Sequence, residues 1–192
     1  MRIVAGSLKG RPLAVPQGRD IRPTADRTRQ ALFDVLEHGR LVEGGGSAVV
    51  DAIVLDAFCG SGALGLEALS RGAAEAVFMD ASRGALDCAR ANAKQLGQQA
   101  SFILANAANP PRALKPVTLA FLDPPYGSGL LGPALTALAK AGWFAPRAIA
   151  SLEMPGAELA RFETPAGFER LDERHYGKAR ILLLRAAGLS AG

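Results

Sequence analysis

Residues 52–72 read AIVLDAFCGSGALGLEALSRG, and this stretch decides the fold. Its first part is a short apolar run ending at Asp56, the pattern of a buried strand. Its last part, ALGLEALSRG, is amphipathic at helical spacing. Between them Gly60, Gly62 and Gly65 form a GxGxxG pattern, which lets the backbone turn sharply and approach a ligand closely before a helix starts. Strand, glycine turn and helix in that order are the opening unit of a doubly wound sheet.

The same alternation continues outward. AVFMD (76–80) precedes SRGALDCARANAKQLG (82–97), SFILAN (101–106) follows, and TLAFLDPP (118–125) precedes LLGPALTALAKAG (130–142) and AIASLEM (148–154). Short apolar runs alternating with amphipathic stretches predict a mostly parallel α/β sheet with binding loops at the carboxyl ends of its strands. RLDERHYG and KARILLLR, joined at Gly177, predict an antiparallel pair closing one sheet edge. Upstream, RIVAGSLKGRPLAV (2–15) reads as a small β-hairpin that must rest on something larger. Thr24 can cap a helix running to about His38, with Ala31, Leu32, Val35 and Leu36 at helical spacing. EGGGSA (43–48) reads as a flexible connection. The predicted organisation is therefore a hairpin-and-helix extension over 1–40, a linker over 41–51 and the main domain over 52–188.

With 192 residues, 49% hydrophobic and 21% charged, the chain can bury a sizeable core, which excludes disorder as its main state. No run approaches the roughly 18 apolar residues of a membrane span, and Arg2 and Lys9 bracket too short a run for a secretory signal. A cytoplasmic protein is expected. Cys59 and Cys88 suit free thiols better than a disulfide framework or zinc site, so no metal is expected. Of the net charge of +4, residues 1–40 hold eight Lys/Arg against four Asp/Glu, whereas the remainder balances at fourteen and fourteen. Clustered arginine suits a phosphate backbone, which guanidinium binds bidentately; a solvated basic face is the plainer alternative.

Three motifs carry chemistry. Asp56, directly before the glycine loop, disfavours a pyrophosphate on the helix N-terminus and favours a ligand with a cationic end. S-adenosylmethionine, with an ammonium, a sulfonium and no phosphate, meets that description. Asp80, at the tip of the second strand, is placed to accept both hydroxyls of a ribose, or else caps the next helix. The third motif is Asp123, Pro124, Pro125 and Tyr126. Consecutive prolines lack backbone donors, so neighbouring carbonyls are left to accept hydrogen bonds from elsewhere. An acid plus a proline carbonyl can hold an sp² amine while the aromatic ring stacks on a planar base.

Together these residues resemble the class I methyltransferases that act on amino groups. RIVAGSLKGRPL, RPTADRTRQALFDVL (22–36), VLDAFCGSGALGLEALSRGA, FLDPPYGSGLL and HYGKARILLLR resemble, in order and spacing, the RsmD family of bacterial 16S ribosomal RNA guanine-N2 methyltransferases. The resemblance covers nearly the whole chain. It implies a seven-stranded Rossmann-like sheet that binds S-adenosylmethionine without a metal and releases S-adenosylhomocysteine. It also implies 16S ribosomal RNA, the small ribosomal subunit or its assembly intermediate as partner, with the protein a monomer. Asp56, Phe58, Gly60, Ser61 and Gly62 are expected around the methionine end, Asp80 and Ala81 at the ribose, and Asn106 and Ala107 at the adenine. Asp123, Pro124, Pro125 and Tyr126 are expected to grip the target guanine, Asp123 also bordering the cofactor. Arg11, Arg22, Thr24, Arg27 and Arg29 are expected to contact RNA. Family members often carry Glu at the position of Asp80 and seldom the EGGGSAVVDA insertion. The prolines of 109–116 argue against the helix expected there.

Other chemistries share parts of the pattern. Adenine-N6 nucleic-acid methyltransferases use the same box, usually with Asn first, and glutamine-N5 protein methyltransferases share it without the basic N-terminus. A nucleotide-dependent oxidoreductase accounts for the glycines only. A non-catalytic RNA-binding module would have no need of the full Asp-Pro-Pro-Tyr box.

Overall fold

The computed structural model describes residues 1–16 and 23–187, the side chains of residues 23–25 excepted. Seven strands form one sheet in the order β3-β2-β1-β4-β5-β7-β6. The strands are β1 (Ile53–Asp56), β2 (Glu75–Asp80), β3 (Ser101–Leu104), β4 (Val117–Leu122), β5 (Phe144–Pro155), β6 (Phe168–Tyr176) and β7 (Ala179–Ala186). Strands β1 to β5 are parallel, and β7 pairs antiparallel with both β5 and β6. The sequence-based alternation is thus realised, including the antiparallel edge turning at Gly177. Chain order reverses between β1 and β4, so the crevice beyond their carboxyl ends is where such a sheet binds ligands.

Period-two alternation explains the two apolar layers. Val54, Leu119 and Phe121 face a core completed by α1 (Pro23–His38), α2 (Ala63–Ser70) and α3 (Arg83–Gln95). Leu55, Ala120 and Leu122 face the opposite core, built on α4 (Leu131–Lys140) with Trp143 and, from α5 (Gly156–Leu159), Leu159. Gly65 on α2 is where helix meets sheet: a Cβ there would lie 2.4 Å from the Phe78 ring. No helix occurs between β3 and β4, as the prolines of that stretch imply. Among the described residues no helix is long and apolar enough to cross a membrane.

The N-terminal stretch folds back on itself as expected, as a short antiparallel hairpin. Around the bridge of Arg2 to Pro12, the Ile3 amide donates to the Arg11 carbonyl, Gly10 to Ile3 and Leu13 to Met1. Amides that this pairing leaves over turn to the helices: Val4 and Ala5 donate to Glu67, Leu8 to Ser70 Oγ and Ala14 to Asn92 Oδ1. Residues 1–14 are thus a strap across α2 and α3. Ile3 and Leu13 from the strap and Leu32, Phe33 and Leu36 from α1 join the same apolar cluster as Val54, Leu66 and Phe78. Helix α1 begins at Pro23, so Thr24 lies inside it rather than capping it; proline suits that first position, where no amide partner is needed. Of the connection over 41–51, Leu41 and Val49 are buried while Gly44, Gly45 and Gly46 are exposed.

Candidate active site

The glycine loop after β1 is pinned on both sides. The Ala57 amide donates to the Phe121 carbonyl of β4, and Cys59 to the Met79 carbonyl of β2. Gly62 then takes φ 78° as the helix N-cap, a left-handed conformation that a side chain would strain. Asp56 Oδ2 accepts the Gly65 amide at 3.0 Å, beneath the loop. Asp80 spans the neighbouring gap, with Oδ2 accepting the Gly60 amide at 3.0 Å and Oδ1 the Ser82 amide at 2.9 Å. Capping of α3 falls to Ser82, whose hydroxyl accepts from Ala85, so the second strand's acid ties the loop to the residue that caps the helix.

Burial pushes the Asp56 carboxyl up to about 7; the Gly65 amide opposes this and the Asp80 charge adds to it. A buried carboxyl so poised gains most from a cationic partner. Both oxygens of Asp80 keep lone pairs beyond the amides they accept.

A cavity of about 760 Å3 opens at this crevice, and both the glycine loop and the Asp-Pro-Pro-Tyr corner line it. Asp56, Phe58 and Ser61 contribute from one side, Asp123 and Tyr126 from the other. Thr28, Arg29 and Leu32 of α1 form a wall, and the β6–β7 turn at Tyr176 to Lys178 another. At the corner itself, the Pro125 carbonyl accepts the Ser128 amide at 3.2 Å, whereas that of Pro124 takes no hydrogen bond among the described residues. Asp80, Ala81, Asn106 and Ala107 are not part of this lining. Asn106 is exposed beyond β3, where its Oδ1 accepts the Ala108 amide at 2.9 Å, and Ala107 is buried in the core.

The expected RNA contacts divide. Arg22 lies outside the described residues, as does the side chain of Thr24. Arg27 is exposed on α1, and Arg11, also exposed, donates to the Gln95 carbonyl. Arg29 is a correction. Its side chain is buried, donating to Asp26 Oδ1 at 2.9 Å and to the Arg2 carbonyl, and pairing with Glu67 across 3.4 Å. These carboxylates draw its guanidinium inward, away from any RNA on the surface. Its Nε is nevertheless without a hydrogen bond, the one such buried side-chain nitrogen or oxygen among the described residues.

Sequence reasoning missed two features. Glu153, near the end of β5, accepts the Tyr126 hydroxyl at 2.9 Å and lines the cavity. The available signal was its place near the end of AIASLEM, as Asp80 ends AVFMD. Glu67 and Arg71, inside the glycine-loop motif, build a buried charge network in which Arg71 reaches Glu67 at 2.9 Å, Glu37 at 2.5 Å and the face of Phe33 at 4.8 Å. Among the described residues no cluster of His, Cys, Asp and Glu could hold a metal ion.

A sheet of this order, with a glycine loop after β1, an acid ending β2 and an Asp-Pro-Pro-Tyr corner after β4, is that of the Rossmann-like class I methyltransferases. The family model described as conserved hypothetical protein 95 matches residues 1–185. Ribosomal RNA small subunit methyltransferase D of Escherichia coli K12 is 37% identical over 161 residues, 80% of this chain and 74% of that protein. Its Haemophilus influenzae namesake is 31% identical over 163 residues, 80% and 78% of the two chains. The solved structure of yhhF from Escherichia coli superposes with a TM-score of 0.82 at 35% identity, covering 97% of this chain and 98% of that one. The chain belongs to this family, the RsmD methyltransferases.

Proposed function

We propose that the protein transfers a methyl group from S-adenosylmethionine to the exocyclic N2 of a guanine in 16S ribosomal RNA, during assembly of the small subunit in the cytoplasm. The observation that carries this reading is the shared cavity: Asp56 and Asp123, from opposite corners, line one space. The names of the relatives supply the RNA, and the Asp-Pro-Pro-Tyr corner supplies the amine.

The residues present fit the cofactor. Asp56, buried on the cavity wall, would hold the ammonium. Asp80 would hold the ribose hydroxyls. When bound, the cofactor supplies an electrophilic methyl group on a sulfonium.

The guanine N2 amine is poorly nucleophilic because its lone pair is delocalised into the ring. Asp123 and the Pro124 carbonyl would accept its two protons, drawing density onto nitrogen and turning the lone pair out of the ring plane. Tyr126, exposed at the rim, would stack on the base. One proton must leave as the new bond forms, and Asp123, only partly buried, can pass it to water. Positioning of this kind supplies up to about 7–11 kcal/mol of a barrier, more than any single hydrogen bond. A paired guanine presents no free amine edge, so the base must be unpaired or flipped.

Mass spectrometry of ribosomal RNA from cells with and without this gene is the test. Loss of one N2-methylguanine from the small-subunit RNA is expected. An unchanged RNA, or a lost methyl group on adenine or on protein, would refute the proposal.

A further inference from the structure

We propose that Glu153 selects guanine: its carboxylate, side by side with Asp123 at the carboxyl ends of adjacent strands, accepts the N1–H of the target base while Asp123 accepts from N2. This rests on the function proposed above and adds the residue that reads the base.

The pairing of β4 with β5 sets the two acids together. Leu122 pairs with Leu152, and the next residues are Asp123, directly after β4, and Glu153 on β5. Parallel neighbours lie about 4.8 Å apart. Alternation puts both acids on one face: Leu119 and Phe121 precede Asp123 at period two, as Ile149 and Ser151 precede Glu153, and Leu119, Phe121 and Ile149 pack in the α1-side core. Asp123 and Glu153 both line the cavity, as does Ile181, the β7 partner of Glu153.

Glu153 accepts the Tyr126 hydroxyl through Oε1. A carboxylate has about four acceptor positions, and the tyrosine bond occupies one of them. The ring that would stack on the base and the acid that would read its edge are thus tied together.

Guanine presents two adjacent donors on its Watson–Crick edge, N1–H and the N2 amine. Adenine presents one donor, N6, beside an N1 acceptor. Two adjacent acids match the first edge and repel the second, because a carboxylate facing a lone pair has nothing to accept. Asp123 alone would hold either amine, so the second acid makes the choice.

The probe is 2-aminopurine, which keeps the 2-amine but has a bare N1 acceptor. Small-subunit particles would be assembled on RNA carrying either guanine or 2-aminopurine at the methylated position, and methyl transfer measured as kcat/KM. The wild-type protein is expected to prefer guanine by about a hundredfold. In Glu153→Gln, whose amide can donate to N1, transfer to guanine falls and the preference shrinks to within about threefold. Tyr126→Phe removes the hydroxyl but keeps both acids, so it is expected to slow transfer to both bases while keeping the wild-type preference. A Glu153→Gln preference equal to wild type would overturn the assignment, and so would loss of the preference in Tyr126→Phe to the same extent as in Glu153→Gln, which would reduce Glu153 to a support for Tyr126. Absence of guanine methylation by the wild-type protein would instead sink the proposed function, and this assignment with it.

Discussion

Arg29 on α1 and Glu67 on α2 form an ion pair withdrawn from solvent, Nε to Oε2 at 3.4 Å, with 4% and 0% of their side-chain surface exposed. The same carboxylate accepts the Val4 and Ala5 amides and pairs with Arg71. One buried charge therefore joins the N-terminal strap, α1 and α2, and with them the α1 wall of the cavity.

Glu67→Gln keeps the shape but leaves two buried guanidinium groups without their shared carboxylate. Removing one partner of a buried pair costs about 3–5 kcal/mol, so a loss of that order is expected in urea denaturation. A loss below about 1 kcal/mol, the size of a surface pair, would mean that apolar packing of Ile3 and Leu13 holds the strap alone.

Asp123→Ala removes the acceptor for the substrate amine without touching the glycine loop. Methyl transfer should fall by at least about a hundredfold, while calorimetry with S-adenosylhomocysteine still shows binding. A variant of near-normal rate would mean that another group orients the amine.

The Asp56 carboxyl is raised to about 7 by burial, so the folded protein holds a proton there that the unfolded chain, at 3.8, has released. Stability from this group is full below the unfolded value and is lost as pH rises through about 7. Denaturation curves at about pH 5 and about pH 8 should show wild type losing stability relative to Asp56→Asn on the alkaline side. A bound ammonium reverses the preference, so cofactor binding near pH 6 should release a proton, visible as a dependence of the calorimetric heat on the buffer's ionisation enthalpy. Equal heats in all buffers would contradict the raised carboxyl.

Arg27 is exposed where Arg29 is buried, on one helix two residues apart. Arg27→Ala is expected to weaken RNA binding and to lower the salt slope by about one, with stability unchanged. An unaltered slope would remove Arg27 from the RNA-contacting surface.

The strand and helix pattern was legible because its causes are local: alternation of two residues for strands, of three to four for helices, and glycine where the chain bends. The glycine loop and the Asp-Pro-Pro-Tyr corner were legible for the same reason, each being a short run whose backbone demands are its own. The seating of the N-terminal hairpin was not legible. It depends on the partners that the amides at 4, 5, 8 and 14 find on α2 and α3, some sixty to eighty residues further along the chain.

The amino-acid order by itself determined the doubly wound sheet, its antiparallel edge and the three acid-bearing strand ends, because each follows from hydrophobic period and turn chemistry within a dozen residues. Tertiary structure alone decided which charges face inward. Arginines two positions apart look alike in sequence, yet Arg29 meets Glu67 and is buried while Arg27 meets water. Likewise only the pairing of β4 with β5 puts Glu153 beside Asp123, thirty residues away along the chain. Burial of a charge depends on what lies across the fold from it, and that is fixed only when the sheet closes.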